Sequence, residues 1–197
     1  CMGASILMGI QYGAKDYETL HRQISTTMLS GVIFSFFLTL VCVIFAVPIL
    51  LLLQVDPSIM EMTRQYLRII FLGLIFTFLY NFLSSTLRAL GDSASPLYFL
   101  IISAVLNIFG DLFFVIVLKA GSNGCAVSTV LSEALCCLFC IIYIQKKVPI
   151  LRLGKKWLVF DVSLLKKTVA YGWASAMQQA TVQMGKIAIQ ALVNTMG

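Results

Sequence analysis

The stretch QISTTMLSGVIFSFFLTLVCVIFAVPILLLL, residues 23–53, contains 31 consecutive residues without a charged side chain. A second uncharged stretch covers residues 69–87 and is 19 residues long. A helix needs about 20 apolar residues to cross the hydrocarbon core of a bilayer. Neither stretch alternates apolar and polar residues as the strands of a membrane β-barrel do. Both stretches therefore predict transmembrane helices.

The composition of the whole chain agrees with this interpretation. Of its 197 residues, 60% are hydrophobic and 11% are charged, whereas soluble domains carry about 25% charged residues. An ordinary soluble globular domain is therefore excluded. We predict an all-α, polytopic helical membrane protein.

Six helical segments follow from the spacing of turn residues and apolar runs. Pro48 is expected to kink or loosen the end of the second helix, Gly91 and Asp92 form a turn, and Asp161 is a suitable N-cap for the last helix. The predicted helices span residues 1–13, 23–52, 62–88, 96–118, 123–145 and 162–196.

The positive charge of the chain is concentrated in one connector. The net charge is +6, and seven of the fourteen basic residues lie between positions 146 and 167: Lys146, Lys147, Arg152, Lys155, Lys156, Lys166 and Lys167. Basic loops of membrane proteins face the cytoplasm. We therefore expect residues 14–22, 88–95 and 145–167 to be cytoplasmic, and we interpret this charge as a topology signal facing anionic lipid rather than as a nucleic-acid interface.

A single acidic side chain interrupts the fourth predicted helix. Asp111 is the only charged residue between Ser93 and Leu118, and Asn107 precedes it by one helical turn. If the hairpin of the fourth and fifth helices is symmetric about residue 120, Asp111 lies level with Thr129, and Asn107 lies level with Glu133. The sequence thus predicts two polar layers, with Glu133 one layer nearer the cytoplasm.

A carboxylate at such a depth is costly unless it is paired, protonated or facing a water-filled cavity. It can exchange a proton for a metal ion or an organic cation. The alternative is structural, with Asn107 and Thr129 hydrogen-bonding between helices and Asp111 bonded to them.

The last helix carries further polar residues at membrane depth. Gln178, Gln179 and Gln183 form a stripe suited to lining a central cavity. Lys186 is either a substrate-contacting residue or a side chain that extends towards the interface. The sequence contains no catalytic triad, P-loop or zinc-site pattern, so we predict neither enzymatic activity nor a cofactor.

Five motifs resemble those of the multidrug and toxic compound extrusion (MATE) transporters, in particular bacterial members. They occur in the family's order on the expected helices: GIQYGAKD (9–16), LRALGDSASP (87–96), NIFGD (107–111), GCAVST (124–129) and GWASAMQQ (172–179). The resemblance covers essentially the whole chain.

The resemblance implies a fold of twelve helices in two six-helix lobes. Residues 1–145 correspond to helices 2 to 6 of the first lobe, with helix 2 partial. Residues 146–161 are then the cytoplasmic connector between the lobes, and residues 162–197 are the first helix of the second lobe, truncated. The chain is interpreted as a piece of a longer transporter.

The resemblance also implies an activity. MATE transporters are secondary antiporters of the plasma membrane that export lipophilic cationic compounds by alternating access, coupled to inward flow of H+ or Na+. The expected partners are cationic small molecules and the lipid bilayer, and the full-length protein is expected to be monomeric. The implied cation site consists of Asn107, Asp111 and Thr129. The chain departs from the family at Ser128 and Ala174, where Ala and Pro are usual, which puts a bend in the last helix in doubt.

Two other functions remain open at this point. A related branch of the same fold flips lipid-linked saccharides, although such flippases line their cavity with several cationic residues and this chain offers acids and one lysine. A third possibility is that the chain is a channel or an inactive truncated membrane remnant.

Overall fold

The computed structural model describes residues 2–52, 56–151 and 159–196. Within these ranges the chain folds into helices joined by short turns, with a 3-10 turn at Pro149–Leu151. The α-helices are α1 (Met2–Gly13), α2 (Tyr17–Ile44), α3 (Ala46–Leu52), α4 (Met60–Ala89), α5 (Ala94–Leu112), α6 (Gly121–Lys147) and α7 (Val162–Met196), and α5 continues through a π-helical turn at Phe113–Val117.

The predicted helix over 23–52 is present as two helices with a bend at Phe45. Proline lacks an N–H group, and its ring collides with the carbonyl of the residue four positions earlier. For Pro48 that residue is Ile44, where α2 ends. The expected interruption by Pro48 is therefore confirmed. α2 also begins earlier than predicted, because the side chain of Asp16 accepts a hydrogen bond from the N–H of Thr19 at 3.1 Å.

Two predicted helix boundaries coincide with observed side-chain caps. Asp161 Oδ1 accepts hydrogen bonds from the N–H groups of Ser163 and Leu164 at 2.8 and 3.2 Å. Asp92 Oδ1 accepts from the N–H of Ser95 at 3.0 Å. Gly91 adopts a φ of +95°, which glycine tolerates without strain. The predicted N-cap at Asp161 and the turn at residues 91–92 are confirmed.

Helix α4 is the centre of the bundle. It packs against α2 on one side and α6 on the other, while α5 packs against α6, and α7 packs against α1 and α2. The buried apolar core lies at the end of the bundle that carries the turns at 14–16 and 90–93. It consists of Ala4, Met8, Leu20, Ile24, Phe82, Leu87, Ile144 and Leu151.

The outer faces of the helices are apolar rather than polar. Phe34, Phe36 and Ile116 have relative exposures of 69%, 67% and 65%, which is unlike the surface of a soluble monomer. Four helical stretches within the described ranges are long and apolar enough to cross a membrane: Tyr17–Ile44, Met60–Ala89, Ala94–Val117 and Gly121–Lys147. The protein is a multi-pass membrane protein.

Helix α7 differs from these four spans in composition. It is 35 residues long, but it carries three lysines and four glutamines: Lys166, Lys167, Lys186, Gln178, Gln179, Gln183 and Gln190. Most of its described side chains are exposed.

Candidate functional site

The antiparallel helices α5 and α6 are joined by a polar contact around Asn107. Its side-chain Nδ2 donates to Ser128 Oγ at 3.3 Å and to Thr129 Oγ1 at 3.4 Å. In return, Ser128 Oγ donates to the backbone carbonyl of Asn107 at 3.1 Å. Thr129 Oγ1 also donates to the carbonyl of Cys125 at 2.9 Å. Asn107 is therefore held in a fixed position against two consecutive hydroxyl groups of α6.

Small residues allow the two helices to approach this closely. A Cβ atom on Gly110 would lie 2.3 Å from Ser128 Oγ, well inside van der Waals contact. One turn further along, Ser103 Oγ donates to the backbone carbonyl of Ser132 at 2.9 Å. Small and hydroxyl-bearing residues are typical of tight helix pairs in membranes. The contact between α5 and α6 depends on Gly110 having no side chain.

The register of the hairpin differs from the predicted one. The contacts of Asn107 with Ser128 and of Ser103 with Ser132 place the midpoint near residue 118 instead of residue 120. The last turn of α5 is π-helical, and Lys119 has a φ of +51°, so the end of α5 is not the regular helix that the symmetric prediction assumed. The predicted layers are therefore wrong: Asn107 lies level with Thr129, not with Glu133.

Asp111 lies on α5 one helical turn beyond Asn107, towards the turn that joins α5 to α6. The side chain is partly buried, and its Oδ1 atom is inaccessible to solvent and has no hydrogen-bond partner among the residues that the structure describes. A buried acceptor without a partner costs about 1–3 kcal/mol, and more if it is charged. Asp111 is thus an acceptor that a proton or a bound cation would stabilise.

Glu133 belongs to a different helix contact. The hydroxyl of Thr77 on α4 donates a short hydrogen bond to Glu133 Oε2, and Asn81 Nδ2 donates to the backbone carbonyl of Thr77 at 2.8 Å. The sequence interpretation missed Thr77. Its signal was the i,i+4 spacing of Thr77 and Asn81 within the uncharged stretch 69–87.

The polar residues of α7 are not brought to this hairpin. Gln178, Gln179, Gln183 and Lys186 are all exposed, and α7 packs against α1 and α2. Helix α7 contacts α2 near the beginning of α7, where Gln23 Nε2 of α2 donates to Thr168 Oγ1 at 2.6 Å.

Asp111 and the Asn107–Thr129 contact bring three kinds of polar group within about one helical turn of each other. Asp111 supplies one carboxylate, Asn107 an amide and Thr129 a hydroxyl. Within the described ranges, no three His, Cys, Asp or Glu side chains are grouped so that they could hold a metal ion. Charge neutralisation at Asp111 is the chemistry that this arrangement supports.

Comparison with known proteins agrees with the fold and the composition. The model of the MatE family matches residues 1–113. The chain is 32% identical over 204 residues to the "Probable multidrug resistance protein YoeA" of Bacillus subtilis, covering 99% of this chain and 44% of that protein. It is 37% identical over 152 residues to the "Probable multidrug resistance protein YpnP" of the same organism, covering 76% of this chain and 33% of that protein. The chain thus spans less than half the length of these relatives.

The structural comparison gives the same fold. A transporter described as "Inward-facing conformation of a multidrug resistance MATE family transporter of the MOP superfamily" superimposes with a TM-score of 0.84 at 21% sequence identity. The match covers 90% of this chain and 40% of that one. Since the family model covers more than half of the sequence, this chain belongs to the MatE family, whose members are membrane transporters and not enzymes.

Proposed function

We propose that the full-length protein is a secondary antiporter that exports lipophilic cationic compounds by alternating access, coupled to inward flow of H+ or Na+. The observation that supports this most directly is the buried Oδ1 atom of Asp111, one turn from the Asn107–Thr129 contact. The names of two relatives as probable multidrug resistance proteins support the class of substrate.

The coupling follows from the energetics of one carboxylate. An unpaired charge at depth in the bilayer costs several kcal/mol, so Asp111 favours a neutralised state, with either a proton or a small cation bound. Asn107 and Thr129 supply oxygen ligands, or hydrogen-bonding groups, beside it. Uptake of the ion from outside and its release inside then favour different conformations of the transporter, and a ligand shifts such an equilibrium by its differential affinity for the two states.

The proposed topology and domain division follow the sequence prediction. Residues 1–145 form the first lobe, residues 146–161 the cytoplasmic connector and residues 162–197 the first helix of the second lobe. Positions 152–158 of the connector lie outside the described residues. The proposed location is the plasma membrane, and the full-length transporter is proposed to be a monomer.

The polar side chains of α7 are proposed to line the central cavity between the lobes. Gln178, Gln179 and Gln183 are exposed on α7, and Lys186 follows them on the same helix. In a two-lobe transporter such side chains have access to water and substrate without being placed against lipid.

A transport assay on the full-length protein tests the proposal. The purified protein is reconstituted into proteoliposomes, and the proteoliposomes are loaded with ethidium. Ethidium efflux is then measured with an imposed pH gradient, with an imposed Na+ gradient and with neither. We expect efflux that requires one of the two gradients, and no efflux from protein-free vesicles. Gradient-independent leakage would contradict antiport, and movement of a lipid-linked saccharide without ethidium efflux would favour the flippase.

A further inference from the structure

A second carboxylate, Glu133, lines a cavity whose described lining includes none of Asn107, Asp111 and Thr129. The cavity has a volume of about 310 Å³ and lies between α4, α5 and α6. Its polar lining includes Thr77, Asn81, Ser84 and Arg88 of α4, Ser103 of α5 and Glu133 of α6. A residue at membrane depth that is both ionisable and in contact with a polar cavity is a candidate for ion movement.

Glu133 lies on α6 between this cavity and the Asn107–Thr129 contact. Glu133 follows Thr129 by one turn of α6, a rise of about 6 Å. Thr129 is in contact with Asn107 at 3.4 Å, and Asn107 lies one turn from Asp111. Polar groups therefore continue from α5 to α6, and then along α6 to Glu133.

One end of the cavity lies near the basic turns. Thr77 contacts Glu133 directly, and Arg88 belongs to the last turn of α4, just before the turn at residues 90–93. The eleven steps from Thr77 to Arg88 rise about 16 Å along the helix. The α4 face between them therefore extends from the middle of the bundle to its proposed cytoplasmic end.

The cavity is large enough to hold water, and polar groups are present in its mainly apolar lining. At about 30 Å³ per molecule, its volume corresponds to about ten waters, and the hydroxyl and amide groups of Thr77, Ser84 and Asn81 offer them hydrogen-bond partners. Hydroxyl groups and water both donate and accept, so they conduct protons along a chain.

We propose that Glu133 relays protons between Asp111 and the cytoplasm, and hence that H+ is the coupling ion. This inference rests on the proposed antiport function. The O–H bond of protonated Asp111 breaks, and Glu133 takes up a proton through Thr129 or an intervening water. The O–H bond of Glu133 then breaks, and the proton leaves through the water in the cavity. Both carboxylates end deprotonated, and no oxidation or reduction occurs.

Few charged or titratable groups line the cavity beside Glu133. The titratable or charged groups lining the cavity are Tyr80 and Arg88 from α4 and Cys136 from α6, while α5 contributes Leu100 and Ser103, which do not titrate. Arg88 is the only one of these groups that is cationic at neutral pH. It lies at the end of the cavity nearest the turn at residues 90–93.

Three variants of the full-length protein in proteoliposomes test the relay. Glu133→Gln keeps an acceptor for the Thr77 hydroxyl but cannot exchange a proton. Glu133→Asp keeps the acid, and Glu61→Gln removes an exposed carboxylate at the opposite end of α4, where it pairs with Arg64 at 3.1 Å. Proton uptake into the lumen is followed with a pH-sensitive dye while ethidium is exported.

We expect Glu133→Gln to slow drug-driven proton flux at least tenfold while the ethidium Kd changes less than twofold. Glu133→Asp should recover part of the flux, and Glu61→Gln should match wild type. Asn81→Leu places an apolar side chain in the cavity and should also slow the proton flux. This second variant tests the relay even if Glu133→Gln does not fold.

Asp111→Asn, measured in parallel, separates the relay from the underlying function. If Asp111→Asn abolishes flux while Glu133→Gln and Asn81→Leu both transport protons at the wild-type rate, the relay is refuted and the antiport proposal stands. If the Asp111→Asn variant shows drug-driven proton flux at the wild-type rate, the proposed function is refuted, and the relay is refuted with it. Na+-driven flux that ignores the pH gradient would likewise overturn the relay but not the antiport.

Discussion

The side-chain amide of Asn107 lies 3.4 Å from the hydroxyl oxygen of Thr129, across the interface of α5 and α6. The contact fixes the two helices in register one turn from Asp111, whose buried oxygen has no partner in the described parts of the chain. The rigid pair and the unsatisfied carboxylate are therefore adjacent, and the following predictions test each of them.

Gly110→Ala should destabilise the protein, because the added Cβ would meet Ser128 Oγ at 2.3 Å. Overpacking of this kind costs about 1–3 kcal/mol. Gly13→Ala is the matched control, since no atom lies within 4 Å of the Cβ that it would add. Thermal unfolding in detergent should show a lower Tm for Gly110→Ala only. The double variant Gly110→Ala/Ser128→Ala should recover part of the lost Tm. Equal Tm values for Gly110→Ala and Gly13→Ala would refute the close approach of α5 and α6 at Gly110.

Thr129→Val should reduce export at least tenfold, while Ser128→Ala should retain it. Both hydroxyls accept from Asn107, but only Thr129 belongs to the proposed cation site, and valine has the shape of threonine without its oxygen. Ethidium efflux at matched expression measures the difference. Equal losses in the two variants would mean that the hydroxyls serve packing alone.

Asp92→Asn should alter the pH dependence of stability. Burial raises the pKa of Asp92, but hydrogen bonds from the backbone and side chain of Ser95 and from the Tyr143 hydroxyl outweigh it and hold the pKa below its usual value. A carboxyl group whose pKa is lower in the folded state stabilises the fold at pH values above its unfolded-state pKa, which is about 3.9 for Asp. That stabilisation is lost as the pH falls through the folded-state pKa. The Tm advantage of wild type over Asp92→Asn should be constant above about pH 5 and shrink below about pH 4. An advantage that persists unchanged to lower pH would contradict this assignment.

Lys155→Cys should be labelled by a membrane-impermeant maleimide only after the cells are permeabilised, because the basic connector is expected inside. Ser58→Cys, in the turn before α4, should be labelled from outside intact cells. The parent chain serves as the control for its own cysteines. Labelling of Lys155→Cys in intact cells would invert the proposed topology.

The spans and most boundaries were predictable, because they depend on local chemistry. The uncharged stretches at 23–53 and 69–87 predict helices, since only helices and closed barrels satisfy the backbone in lipid and neither stretch alternates as barrel strands do. Asp92 and Asp161 mark helix beginnings because their side chains bond to the first free N–H groups of the following helix.

The layers of the site were not predictable, because they depend on packing between helices. A π-helical turn at 113–117 and the positive φ of Lys119 shift the hairpin register, and neither has a pattern in the sequence. The sequence showed that Glu133 is an acid at depth. Its partner, Thr77, lies 56 positions away along the chain and is selected only when α4 packs against α6.

The central claim is that Asp111 carries the coupling ion, and Asp111→Asn in the full-length protein tests it most directly. Asparagine keeps the size and an oxygen acceptor but cannot be charged. At matched membrane expression, gradient-driven ethidium efflux from proteoliposomes should fall to that of protein-free vesicles, with insertion and Tm unaffected. Wild-type efflux by Asp111→Asn under the same gradient would contradict the coupling role.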